Sequence, residues 1–222
     1  QIPLTVVTFS EDSLKDLGVK EIKDISKYAP GLSIVGGVDN NTSRFFIRGV
    51  GTATPTFGSE QAVPIYIDDI YTPLGIGSNL DLFAIDRVEV INGPQGTLYG
   101  RNSLGGAIKV YSKGFSDKTE GNVEYAVGSF GQRNVAAEIQ TPLIEDKLFF
   151  GLAFSSKQND GIQNNVYTNT RGWQDDKRLY RVRLEVRPRD DLTVKYSYIN
   201  NESAGAAQQL RARPGTQGIA ET

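Results

Sequence analysis

The sequence predicts a small α+β domain followed by antiparallel strands of a transmembrane β-barrel. Three observations predict it. Up to Lys113 the chain carries short elements of mixed period. From Gly121 onward, apolar and polar residues alternate over stretches of about ten residues. The connections between those stretches are tight on one side and long and polar on the other, as periplasmic turns and extracellular loops are.

In the first half, Leu4 to Thr8 is expected as a strand, and Ser10 caps a short helix that reaches Leu17 and stops at Gly18. Val19 to Tyr28 places Ile22, Ile25 and Ala29 at helical spacing, and Pro30-Gly31 ends that run. Leu32–Val35, Arg44–Arg48 and Val63–Ile67 are expected as strands, and Leu80–Ile85 as a short helical turn. From Asp86 the charged and apolar residues of Arg87-Val88-Glu89-Val90-Ile91 alternate as in a half-buried strand. Gly93-Pro94 breaks it, and a second strand is entered through Gly105-Gly106.

In the second half, Val123, Tyr125 and Val127 share one face. So do Val135, Ala137 and Ile139, then Leu148 to Phe154 on even numbers, then Tyr180 to Val186 on even numbers, then Val194, Tyr196 and Tyr198. Pro142–Asp146 and Pro188–Asp191 are the tight turns; Gln158–Lys177 is a long polar connection, and another starts at Asn201. A soluble antiparallel sheet is the alternative. Against it, Arg181, Arg183, Glu185 and Arg187 stand on one face, which a water-filled lumen accepts and the inside of a small sandwich does not. Five strands do not close a barrel, and a plugged lumen takes about 22, so the chain is expected to be the N-terminal piece of a longer one. The start without Met is expected to be that of a mature or truncated chain. The division falls at 1–114 and 115–222.

Composition narrows the chemistry. The 222 residues are 38% apolar and carry a net charge of −2, which gives no support for nucleic-acid binding. Cys, His and Met are all absent, which removes thiolates, the commonest general base and the softer metal ligands. No cofactor, resident metal or catalytic residue is expected, nor an enzyme. Gly49-Val50-Gly51 and Gly75-Ile76-Gly77 complete no phosphate-binding motif. Asp68-Asp69 suits either a carboxylate pair or, more simply, a charged strand end.

The run DRVEVINGPQGTLYGRNSLGGAIKVYS from Asp86 to Ser112 resembles the end of the plug domain of TonB-dependent outer-membrane transporters. Pro30-Gly31-Leu32, Phe46-Ile47-Arg48-Gly49, Pro64-Ile65-Tyr66-Ile67-Asp68 and Gly100-Arg101-Asn102-Ser103 resemble further elements of that family. Asp69 stands where the family usually has Gly, and Asn92 where Arg is frequent. The resemblance implies a plug inside a barrel of the bacterial outer membrane, in contact with outer-membrane lipid. It implies active uptake of a scarce ligand, most often a ferric siderophore, powered by the inner-membrane TonB complex. Cobalamin or carbohydrate by the same machinery is the alternative, and a soluble enzyme or binding module the rival from another class. The segment that contacts TonB is expected before Gln1. The resemblance also implies that Arg48 locks the plug by pairing with barrel-wall carboxylates. Loops 36–43, 52–61 and 72–79 hold Gly, Asn, Thr and an occasional aromatic, which suits contacts to a bulky ligand. Asn41, Phe57, Glu60 and Tyr71 are the expected contacts there, with Trp173 from the long connection as either a ligand contact or an interfacial aromatic.

Overall fold

The computed structural model describes residues 5–36, 43–52, 61–72, 80–94, 96, 103–165, 170–172 and 174–204, without the side chains of 163, 165 and 170. The first part, the plug, comprises β1 (Thr5–Ser10), α1 (Glu11–Asp16), a 3₁₀ helix (Ile22–Lys27), β2 (Leu32–Gly36), β3 (Ser43–Ile47), β4 (Val50–Gly51), β5 (Ile65–Ile67), β6 (Ile70–Thr72), β7 (Ile85–Asn92) and β8 (Gly106–Ser112). The second, the wall, comprises β9 (Glu120–Gly128), β10 (Gln132–Ile144), β11 (Leu148–Asn159), β12 (Gln163–Asn165), β13 (Thr170–Gly172), β14 (Asp175–Arg189) and β15 (Leu192–Ala204).

In the plug, the Ser10 hydroxyl accepts from the Ser13 N–H at 3.3 Å and starts α1, and Gly18 ends the turn with φ of 66°. The stretch expected as an α-helix from Val19 to Tyr28 is a shorter 3₁₀ helix. Ile22 and Ile25, three apart and both fully buried, lie on one edge of a helix with three residues per turn. Leu80–Ile85 is not helical. Leu80 O accepts from Ile22 N at 3.0 Å and Leu82 N donates to Lys20 O at 3.1 Å, so long-range pairing overrides the local pattern and sets Asp81 beside Glu21. Ile85 already belongs to β7.

One plug sheet has the order β1-β7-β8-β5-β6, a smaller one β2-β3-β4. The core between sheets and helices includes Ile22, Ile25, Phe45, Ile47, Val63, Val88, Val90 and Ile108. Gly106 enters β8 at φ of 144°, and a Cβ there would run into the Ile91 carbonyl oxygen. Gly105 has the Val50 carbonyl 2.9 Å from where its Cβ would stand. The Gly-Gly doublet is where three chain segments cross.

The wall is one antiparallel sheet, β15-β14-β11-β10-β9. Turns 145–147 and 190–191 close one end; 129–131 and 160–174 connect strands at the other. The strands reach further than the sequence suggests, to 15 residues in β14, and the long connection contains the β12–β13 hairpin. Alternation decides the two faces. Val123, Tyr125 and Val127, at 75%, 69% and 67% exposure, stand on the outer face with Ile139, Leu152, Tyr196 and Tyr198. Phe149, Ala153, Leu179, Arg181 and Glu185 are buried on the inner face. Among the described residues no helix is long and apolar enough to cross a membrane. In the charged row of β14, Arg181 and Arg183 reach the plug rather than open water, while Glu185 and Arg187 pair with each other at 2.6 Å.

Candidate functional site: the seam between plug and wall

The site is built from facing pairs. In the wall, Lys157 of β11 stands directly opposite Lys177 of β14. Like charges in that position repel. In the plug, the bridge between residues 21 and 81 sets two carboxylates side by side. The plug docks acids on lysines. Lys177 Nζ lies 3.1 Å from Glu21 Oε1 and 3.3 Å from Asp175, while Lys157 Nζ lies 3.0 Å from Asp81 and 4.0 Å from Glu21. Ser155 adds a hydroxyl that donates to Asp81 Oδ2 at 2.6 Å, and Lys157 also donates to the Lys20 carbonyl at 3.3 Å. Lys23 holds the other oxygen of Glu21 at 2.6 Å.

Further along β14, Arg181 is 4% exposed and donates to the carbonyls of Ala84 at 3.2 Å and Phe83 at 3.4 Å. These are backbone groups of the turn before β7; Ala84 O also accepts from Lys113 N at 3.4 Å, and Arg181 adds a second donor. Arg183 donates to the Lys113 carbonyl. Below it, Phe115 of the linker stacks on Phe149 at 5.7 Å, with Arg183 over Phe115 at 4.8 Å and Arg187 over Phe149 at 4.4 Å. Gly151 makes room for this stack: a Cβ there would stand 3.0 Å from the Phe115 ring.

Between α1 and β9–β10 the seam is open. A cavity of about 500 Å³ lies there, lined among others by Glu11, Lys15, Glu124, Asn134 and Glu138. Lys113 and Glu138 meet across its edge at 3.9 Å.

Burial pushes the Glu21 carboxyl up, but Lys177, Lys23 and Lys157 together outweigh it and hold it at about 2, against an ordinary 4.5. A carboxylate depressed in this way contributes its full stability above pH 4.5 and loses it as the pH falls towards 2. A shift of that size corresponds to about 3 kcal/mol. Acidification through this window is expected to loosen the plug from the wall, and Glu21→Gln is expected to flatten the response. Protease sensitivity of the plug against pH checks this; an identical profile in both proteins counts against it.

The expected site residues fare unevenly. Asn41, Phe57, Glu60 and Trp173 lie outside the described residues. Tyr71 is on the edge strand β6, 37% exposed, its ring 5.8 Å from that of Tyr66. Arg48 is an exposed turn residue between β3 and β4, with φ of 51°; its N–H donates to Gly31 O at 2.8 Å and its side chain lies over Gly31. Among the described residues no carboxylate pairs with the Arg48 side chain. Asp68 and Asp69 form the β5–β6 turn, both at positive φ. Asp68 accepts from Ser112 N at 2.7 Å, and Asp69 pairs with Lys109 at 2.6 Å, which supports the strand-end reading. Among the described residues no group of His, Cys, Asp and Glu is arranged to hold a metal ion. The sequence reading missed Glu21, Asp81, Ser155, Lys157 and Lys177. The signal for the wall members was their odd numbering on β11 and β14, in phase with Arg181.

Residues 1–107 match the family model of the TonB-dependent Receptor Plug Domain. The chain is 28% identical over 166 residues to the pesticin receptor of Yersinia pestis, an alignment spanning 75% of this chain and 24% of that protein. It is 36% identical over 110 residues to the catecholate siderophore receptor Fiu of Escherichia coli K12, covering 49% of this chain and 13% of the relative. The solved ferric yersiniabactin uptake receptor FyuA of Yersinia pestis superposes with a TM-score of 0.78 at 26% identity, covering 88% of this chain and 30% of that one. The chain thus spans about a quarter of the curated relatives it matches first.

Proposed function

We propose that this chain, which belongs to the TonB-dependent receptors of the bacterial outer membrane, forms the gate of an active transporter for a ferric siderophore. Residues 1–114 act as the plug and residues 115–222 open the barrel wall. The observation that carries the reading is the seam. A folded domain held by buried charges against the inner face of a sheet, whose outer face is apolar, is a closed gate in a membrane wall. Moving it takes work, which an inner-membrane TonB complex supplies. No bond of the ligand changes, and iron enters as cargo within its chelate. The named ligands of the relatives, ferric yersiniabactin and catecholate siderophores, support that class over cobalamin or carbohydrate.

Asn41, Phe57, Glu60, Tyr71 and Trp173 meet the ligand from the outside, and Arg48 locks the plug to carboxylates of later strands. Loss of one aromatic contact costs about 1–3 kcal/mol. Phe57→Ala and Tyr71→Ala are therefore expected to weaken ligand binding roughly ten- to hundredfold. Titration of the purified full receptor with ferric chelate checks this, and wild-type affinity in both variants moves the site elsewhere. Arg48→Ala is expected to raise small-solute leakage at normal expression; unchanged permeability removes the locking role.

The reading is tested by uptake of radiolabelled iron, offered as ferric yersiniabactin and as a ferric catecholate, into cells with the full receptor as their sole one. Energy-dependent uptake of either chelate is the expected result. Failure of both, with cobalamin or an oligosaccharide accumulated instead, replaces the ligand class. Uptake that persists without the TonB complex overturns the active mechanism.

A further inference from the structure

The plug is fastened to these five wall strands unevenly. Asp81 and Glu21 are gripped by Ser155, Lys157 and Lys177, and the carbonyls of Phe83, Ala84 and Lys113 by Arg181 and Arg183. All of these wall residues belong to β11 and β14. The linker is seated there too, with Phe115 in the gap left by Gly151. From Asp81, Ser155 and Lys157 outward, towards β9 and β10, the seam is instead the cavity of about 500 Å³, crossed at its edge by the 3.9 Å pair of Lys113 and Glu138.

These two sides resist displacement differently. Separating β11–β14 from the plug strands buried charges and takes the arginine donors from backbone carbonyls, both costly. Separating α1 from β9–β10 breaks little that is buried. Lys15 is exposed and already paired within α1 to Glu11, at 2.7 Å, and Glu124 on the wall is exposed. We propose that the plug, when pulled, pivots on the β11–β14 seam and swings α1 away from β9–β10, so that the cavity between them widens into the ligand's passage. This rests on the uptake reading above and adds the side on which the gate opens. The cavity's volume already falls in the range that holds a drug-sized ligand. Its lining mixes charged side chains, Glu11, Lys15 and Glu138, with apolar ones such as Leu14, Val19 and Leu82, which suits a chelate with both polar and apolar parts.

The pivot is tested without any ligand by spin-label distances in the purified full receptor as urea is raised. Lys15→Cys with Glu124→Cys spans the cavity, and Lys20→Cys with Gln158→Cys spans the small pocket on the fastened side, in a segment that has no cysteine of its own. The cavity pair is expected to lengthen and broaden at clearly lower urea than the other. Simultaneous broadening, or the reverse order, overturns the pivot. In cells, tying the cavity pair with a short dithiol-reactive linker is expected to lower uptake of the ferric chelates at least about tenfold while leaving surface binding in place, because a tether that holds one state removes the other from the population. Tying the fastened pair is expected to change uptake less than about twofold, since that side stays in place through the movement. Equal inhibition by both tethers overturns the passage. If the untied receptor takes up neither chelate, the ligand class falls, and the spin-label result still decides the pivot.

Discussion

Gly106→Ala is expected to stop the plug from folding, with the largest effect of a single methyl added at any of the described glycines. The new Cβ meets the backbone carbonyl of Ile91, and Ile47 Cδ1 at 2.9 Å; the residue must also hold a φ of 144° that L side chains avoid. Backbone has nowhere to retreat, because β8 is paired to β7 and the Ile47 side chain is core. A loss on the order of 4 kcal/mol or more follows from strain of this kind. The measurement is the amount of receptor reaching the outer membrane and the protease resistance of its plug. Gly96→Ala, where a Cβ meets nothing within 4 Å, is the control. A normal, resistant plug in Gly106→Ala contradicts the reading of the doublet as a crossing point.

Arg181→Ala is expected to weaken the seam by about 2–4 kcal/mol, since it takes the donor from the Phe83 carbonyl, leaves Ala84 O only the 3.4 Å bond from Lys113 N, and empties a buried side-chain volume. The barrel strand itself survives, because its ladder to β11 and β15 is backbone. Arg181→Met refills most of the volume without a charge and is expected to cost less than alanine. The urea concentration at which the plug of the full receptor becomes protease-sensitive orders the three proteins. Alanine and wild type at the same concentration means the guanidinium carries no share of the docking.

The two halves of the chain were legible in the sequence for different reasons. Alternation in the wall survives into the structure because one face is apolar and exposed and the other packs on the plug, so every second residue is constrained. Val123, Tyr125 and Val127 announce that face unaided. The Gly105-Gly106 motif was legible because only glycine fits the crossing. Leu80–Ile85 was not, because its structure is set by hydrogen bonds to Lys20 and Ile22, some sixty residues away in sequence. The same distance hid the seam. Glu21 and Asp81 look like ordinary surface acids until the bridge sets them side by side, and Lys157 and Lys177 look like loop lysines until β11 and β14 are extended far enough to pair them. Arg181 and its neighbours were visible as a row, but what they face depends on how the plug is placed. Arg48 shows the converse. Its motif was plain, and among the described residues no carboxylate pairs with it.

The central claim is that the plug docks on the inner face of β11 and β14 through Asp81 and Ser155. Their oxygens stand 2.6 Å apart, which places cysteines at both positions within reach of each other. The most direct test is Asp81→Cys with Ser155→Cys in the full receptor, in outer membranes, with a protease site placed in the linker at residues 116–118. After mild oxidation and cleavage, the account predicts that the plug stays covalently bound to the barrel on a denaturing, non-reducing gel and separates on reduction. A plug that separates without reduction, although the linker is cut and both thiols are exposed to the oxidant, contradicts it.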